Sequence, residues 1–175
     1  DYSTASGTSS IANATNSSAF GASSTASGAN SVASGYKSKA SATSASAYGD
    51  TALASANYSV AVGANSTANN TDSTAVGYKS KASGVSSFAG GDTALASADY
   101  SVAVGAGANA TNTYAASYGY DANASGLSSL AEGNGALASG GYAVALGAGS
   151  TANNTNAIAG GHGAMATGVA SASYG

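Results

Sequence analysis

The sequence predicts an all-β fold, a parallel β-solenoid wound from 14-residue coils of two short strands each. Three observations predict it. Glycine recurs every fourteen residues, at Gly7, Gly21, Gly35, Gly49, Gly63, Gly77, Gly91, Gly105, Gly119, Gly133, Gly147, Gly161 and Gly175, without one insertion or deletion. A fixed period marks a repeat architecture, in which each unit completes itself on the next. Inside each repeat the small residues step by two, which is the side-chain alternation of a strand. The 3.6-residue period of an amphipathic helix is missing, and glycine, a poor helix former, is dense.

The elements of one coil follow in order. If the recurrent glycine is slot 14, residues 1–7 are a partial repeat and residues 8–175 are complete repeats of a single repeat domain, 1–175. Slots 1–2 read as a tight turn. The first strand follows, with small residues at slots 3, 5 and 7. Slot 3 holds only Ser or Ala, and slot 7 only Gly, Ala or Asn. Slot 5 is Ala in every complete repeat: Ala12, Ala26, Ala40, Ala54, Ala68, Ala82, Ala96, Ala110, Ala124, Ala138, Ala152 and Ala166. These are the predicted roll interior. A second turn takes slots 8–9. The second strand places small residues at slots 10, 12 and 14, and slot 12 is Ala except at Ser117 and Ser173. Coils stacked in parallel at about 4.8 Å would bring each strand onto its copy. An interior that admits only Ala, Ser and Gly is flat and narrow.

The intervening slots face outward, and the two outer faces differ. Slots 11 and 13 carry Phe20, Val32, Tyr48, Val60, Val62, Val76, Phe88, Val102, Val104, Tyr118, Leu130, Val144, Leu146, Ile158 and Tyr174. Slot 6, on the other strand, is only Asn, Ser or Thr. At about 25 cal/mol per Å² of apolar surface, a narrow Ala/Ser interior cannot easily offset chain entropy. A contiguous apolar strip marks an interface. Every coil carries it, so the predicted partner is another copy of the chain, related by an axis along the stack.

Composition excludes several classes. Only 6% of residues are charged, and Cys, Pro, Trp, Arg and Gln are absent. So polar a composition suggests disorder, but disorder does not require strict period. Without Cys there is neither a disulfide framework nor a thiolate metal site. No apolar run approaches the roughly 18 residues of a membrane helix, and no basic segment precedes an apolar one at the start. The chain opens inside a repeat and closes on a repeat boundary, which reads as a piece of something longer. A net charge of −3 and the lack of Arg argue against nucleic acid. No catalytic residue, metal site or cofactor is predicted. His162 is the one His and lies in a turn slot. Asp1, Asp50, Asp72, Asp92, Asp99, Asp121 and Glu132 fall in scattered coils without calcium-loop spacing. Gly105-Ala-Gly107 belongs to the repeat and lacks the helix of a phosphate loop.

The segments Tyr58-Ser-Val-Ala-Val-Gly63, Tyr100-Ser-Val-Ala-Val-Gly105 and Tyr142-Ala-Val-Ala-Leu-Gly147 closely resemble the NSVAIG strand of YadA-like heads. Asn65-Ser-Thr-Ala and Gly149-Ser-Thr-Ala resemble that family's second strand. These heads belong to the trimeric autotransporter adhesins, and the resemblance spans essentially the whole chain. It implies a left-handed parallel β-roll and a homotrimer. It also implies an extracellular head on a Gram-negative outer membrane, associated with virulence, above a coiled-coil stalk and a C-terminal membrane anchor that this sequence lacks. Handedness and the number three come from the family, not from the period.

The chain departs from that pattern in places. Ser18, Ser34, Ser46, Thr74, Ala116 and Ala172 are small or polar in interface slots, and Gly90 and Gly160 leave slot 13 empty, where a neighbour such as Phe88 could fill the gap. Glu132 occupies slot 13, where three copies would converge. It reads as a wet site bonded to Tyr118, or as a place where like charges and burial raise a pKa or hold a cation.

A 42-residue period overlies the shorter one. Tyr36-Lys37-Ser-Lys39 recurs as Tyr78-Lys79-Ser-Lys81, and weakly as Tyr120-Asp-Ala-Asn123. Asp50-Thr-Ala-Leu53 recurs as Asp92-Thr-Ala-Leu95. Tyr36, Lys37, Lys39, Tyr78, Lys79, Lys81, Leu53 and Leu95 are the candidate ligand-binding surface, where weak repeated contacts would add up. Duplication of a 42-residue unit, with charges serving solubility, explains the same pattern. The expected function is adhesion: multivalent binding of host extracellular matrix, host-cell receptors or other cells. The alternative is a structural spacer or spike segment without a ligand. Ice binding finds no regular Thr ladder at slots 4 and 6 to support it.

Overall fold

The computed structural model describes residues 2–175; Asp1, one of the acidic residues above, lies outside them. Among the described residues there are strands and turns and no helix. Three-residue strands alternate with two-residue strands, beginning Thr4–Ser6, Ile11–Ala12, Ser18–Phe20, Thr25–Ala26 and ending Met165–Ala166, Ala172–Tyr174. The chain is an all-β parallel β-solenoid with a 14-residue turn. It divides into two compact units, Asp1–Ser86 and Ser87–Gly175.

Each unit holds two parallel sheets, one of three-residue strands and one of two-residue strands. In the first unit, Val60, Ala61 and Val62 pair with Thr74, Ala75 and Val76, while Thr67 and Ala68 pair with Lys81 and Ala82. In the second, Val102, Ala103 and Val104 pair with Ala116, Ser117 and Tyr118. Every partner is the residue fourteen positions on, so the ladder bonds and the sequence period are one and the same. Amides outside the strands keep the register too: Gly63 N–H donates to Tyr48 O at 2.8 Å and Gly77 N–H to Val62 O at 2.8 Å.

The strands occupy slots 4–5 and 11–13, less than the alternation of small residues predicts. Slots 3 and 10 are taken by the turns instead. Ser66 N–H closes one turn onto Gly63 O at 3.2 Å, and Ser59 N–H closes the other onto Ala56 O at 3.1 Å. The third residue of each turn, slot 2 or slot 9, has positive φ, as a type II turn requires. Glycine supplies it at Gly149, with φ +66°, but Lys37 (53°), Thr51 (53°), Tyr58 (58°) and Tyr100 (58°) adopt it as well. For such residues the left-handed region costs about 1–2 kcal/mol, so the ladder on both sides of each turn must hold it there. Slot 14 is more demanding. Gly63 has φ +125°, and a Cβ there would lie 2.5 Å from Gly77 O.

Ala26, Ala40, Ala54, Ala68 and Ala82 are fully buried in the first unit, as are Ala96, Ala110, Ala124, Ala138 and Ala152 in the second, where Ala166 is nearly so. Ala12 is only half-buried, because its strand Ile11–Ala12 has a partner on one side alone. Slots 3 and 10 contribute buried serines, which would be costly without partners. Several donate three residues back to their own turn: Ser66 Oγ to Gly63 O at 2.8 Å, Ser59 Oγ to Ala56 O at 2.6 Å, Ser101 Oγ to Ala98 O at 2.6 Å. Polar residues thus fill an interior in which every hydroxyl bond is local. Ser31, in slot 10, and Ser117, in slot 12, are exceptions: both are fully buried and the Oγ of each has no partner.

Candidate functional site

The outer face of the three-residue strands carries the large apolar side chains, because slots 11 and 13 flank the inward Ala of slot 12. In the first unit Val32, Val60 and Val62 are half-buried, while Phe20, Tyr48 and Val76 are exposed. In the second, Val102, Leu130 and Val144 are half-buried, and Phe88, Val104, Tyr118, Leu146, Ile158 and Tyr174 are exposed. Each unit therefore presents an apolar stripe along its stacking direction. The two empty slots are roofed by aromatic rings. A Cβ on Gly90 would lie 2.7 Å from Phe88 Cε1, and one on Gly160 would lie 2.9 Å from Tyr174 Cδ1. Glu132 stands exposed in this stripe, opposite Tyr118 across the ladder, with no hydrogen bond between the two side chains among the described residues.

A different surface forms at the corner of slots 1–2 in the first unit. Tyr36 and Tyr78 are about half exposed. Lys37 Nζ lies 4.9 Å from the centroid of the Tyr36 ring, and Lys79 Nζ lies 5.0 Å from that of Tyr78. Exposed cation–π contacts of this kind contribute about 0.5–1 kcal/mol. Lys39 and Lys81 project outward beside them from slot 4, and Leu53 is half-buried on the same face. In the second unit Leu95 is likewise half-buried, and the corresponding corner carries Tyr120 beside Asp121, a reversal of charge. Between Tyr36 and Tyr78 the corner reads Asp50-Thr51 and Ala64-Asn65, with Thr51 Oγ1 donating to Asn65 Oδ1 at 2.9 Å.

The opposite corner, slot 9, is a second aromatic surface, which in the sequence reads only as a turn. It exposes Tyr58 in the first unit and Tyr100, Tyr114 and Tyr142 in the second. Tyr100 and Tyr114 stack with centroids 5.1 Å apart and planes 9° from parallel. The 42-residue period held the sign: Tyr58, Tyr100 and Tyr142 recur on it. Asn70, Asn112 and Asn154 follow the same period. Each side chain reaches into the next coil, Asn70 Nδ2 donating to Ser83 O at 3.1 Å and Asn112 Nδ2 to Ser125 O at 3.2 Å.

Among the described residues no group of His, Cys, Asp or Glu side chains is gathered as metal ligands would be, and the surface has no pocket. His162 is exposed. The chemistry on offer is that of flat surfaces: an apolar stripe, a lysine–tyrosine corner and a tyrosine corner.

The family model of the YadA head domain repeat, which describes two copies of the unit, matches residues 1–24, 12–38, 26–52, 40–66, 54–80, 68–94, 82–108, 96–116 and 138–164. Among solved structures, the crystal structure of the collagen-binding domain of the Yersinia adhesin YadA is similar. The two share 34% identity, the match covers 67% of this chain and 69% of that one, and the TM-score is 0.56. No curated protein sequence matches.

Proposed function

The chain belongs to the family of YadA head repeats, and from that premise we propose that it is the non-catalytic, adhesive head of a homotrimeric protein on the outer membrane of a Gram-negative bacterium. Its ligand on this reading is a host matrix protein, and collagen is the first candidate because the similar solved domain binds collagen. The observation that carries the proposal is the apolar stripe of slots 11 and 13. A chain with an Ala/Ser interior leaves Val60, Val62, Val102 and Val104 at its surface, and three copies turned inward would cover them. The 14-residue register runs unbroken through residues 86 and 87, which supports a single head domain over 1–175.

Trimerisation presents every outward patch three times and each coil type repeatedly. Individually weak contacts then combine into avidity without a concave site. The test has two steps. Mass measurement of the purified chain in solution should give three copies. Immobilised collagen should then retain the trimer, and a Val60→Asp/Val102→Asp monomer far less. A trimer that binds neither collagen, other matrix proteins nor cells would leave the structural-spacer reading in its place.

A further inference from the structure

We infer that the Tyr36–Lys39 and Tyr78–Lys81 corners of the first unit form one binding strip for a linear sulfated polysaccharide. The chain has four cationic side chains, all Lys, and all four lie in these two segments. All four are exposed, and among the described residues no ion pair neutralises any of them. The protein as a whole carries a net charge of −3, so this is a basic strip on an acidic molecule.

The fold does not require lysine at these places. Lys37 and Lys79 hold φ of 53° and 52°, a conformation in which Asn or Gly is less strained. The same slot is filled by Asn65 and Gly149 in other coils, and slot 4 by Thr25 and Thr67. Lysine in the left-handed turn works against stability, and it occurs there twice, each time with a tyrosine ring beside its ammonium. The pairs stand three coils apart, about 14 Å. That spacing suits an extended ligand with charges at intervals, rather than a compact anion.

The ground between the pairs selects among polyanions. Asp50, Thr51, Ala64 and Asn65 lie there, one carboxylate among small polar groups. A nucleic acid carries a phosphate charge at every step and would set some of it against Asp50. A sulfated glycan can place sulfates at the lysine pairs and uncharged hydroxyls over Asp50 and Asn65, which accept and donate hydrogen bonds to them. The exposed faces of Tyr36 and Tyr78 offer apolar platforms for the C–H faces of sugar rings.

This inference rests on the adhesive reading but names a different ligand from collagen. The trimeric head is titrated with heparin oligosaccharides of defined length by calorimetry at several salt concentrations. A Lys37→Asn/Lys39→Thr/Lys79→Asn/Lys81→Thr variant carries only residues found at these slots in other coils, and circular dichroism verifies its fold. Wild-type binding is expected to weaken with salt. The variant should lose at least tenfold in affinity, and Tyr36→Ala/Tyr78→Ala should lose less with an unchanged salt dependence. Undiminished binding by the lysine variant overturns the inference. So does equal binding of desulfated heparin, or of DNA of matched charge. Collagen binding, measured on the same samples, is expected to survive the lysine substitutions. A head that binds collagen but not heparin refutes this strip alone.

Discussion

Replacing Gly63 by Ala tests the coil geometry more directly than any surface change. Gly63 sits at φ +125°, and the new Cβ would stand 2.5 Å from Gly77 O, closer than the 3.0 Å that real Cβ atoms keep from backbone. The neighbouring carbonyl cannot simply retreat, because the coil is pinned by Gly63 N–H to Tyr48 O and Gly77 N–H to Val62 O, both at 2.8 Å. Dihedral strain of about 1–3 kcal/mol adds to the loosening of one or two backbone hydrogen bonds at about 1 kcal/mol each. The expected cost is therefore about 2–5 kcal/mol. Gly149→Ala is the matched control. Its φ is +66°, no atom lies within 4 Å of the added Cβ, and about 1–2 kcal/mol is expected. Solenoids open locally, so a single unfolding midpoint is a poor measure. Hydrogen exchange at the amides of residues 63 and 77, alongside urea unfolding, reads the local loss. If Gly63→Ala costs no more than Gly149→Ala, stacking of slot 14 on slot 14 is not how these coils meet.

Other substitutions follow from the same geometry. Ala54 is fully buried, so Ala54→Leu should destabilise by about 1–3 kcal/mol or more through overpacking, seen as a lower unfolding midpoint. Ser117→Ala should stabilise by about 1 kcal/mol, because it removes a buried hydroxyl without a partner; calorimetry checks the sign. Lys37→Ala should leave thermal unfolding almost unchanged in a melting curve, since Ala170, the third residue of the other kind of turn, already adopts the same left-handed φ of 53°. Val60→Asp should dissociate or unfold the assembly, because three carboxylates would be buried together, and solution mass measurement reads the outcome.

The coil was legible in the sequence because its backbone demands are absolute. Slot 14 excludes every residue with a Cβ, and slot 5 admits nothing larger than Ala, so period and alternation announce both. The apolar stripe was legible for the same reason, since Val60 and Val62 bracket an Ala that must face inward. The left-handed turn residues were not. Tyr58, Lys37 and Thr51 are poor candidates for positive φ on local propensity, and they take it because ladder bonds on both sides leave no alternative. Nor did composition reveal how buried serine is satisfied. Ser59 and Ser66 look like a polar burden until the turn carbonyls of Ala56 and Gly63 are seen beside them. The tyrosine pair Tyr100 and Tyr114 is hidden in the sequence because slot 9 reads there only as a turn.

The stacking of slot 14 has a consequence for how such a protein changes over generations. Where one backbone glycine meets the next through main-chain atoms alone, the seam is indifferent to which coil lies on either side. Gene slippage that adds or removes fourteen codons would therefore leave every junction intact, whereas a change of thirteen or fifteen would put side chains where none can go. Length becomes a freely adjustable trait, and surface chemistry can be copied in blocks, as the 42-residue duplication of the lysine corner already illustrates.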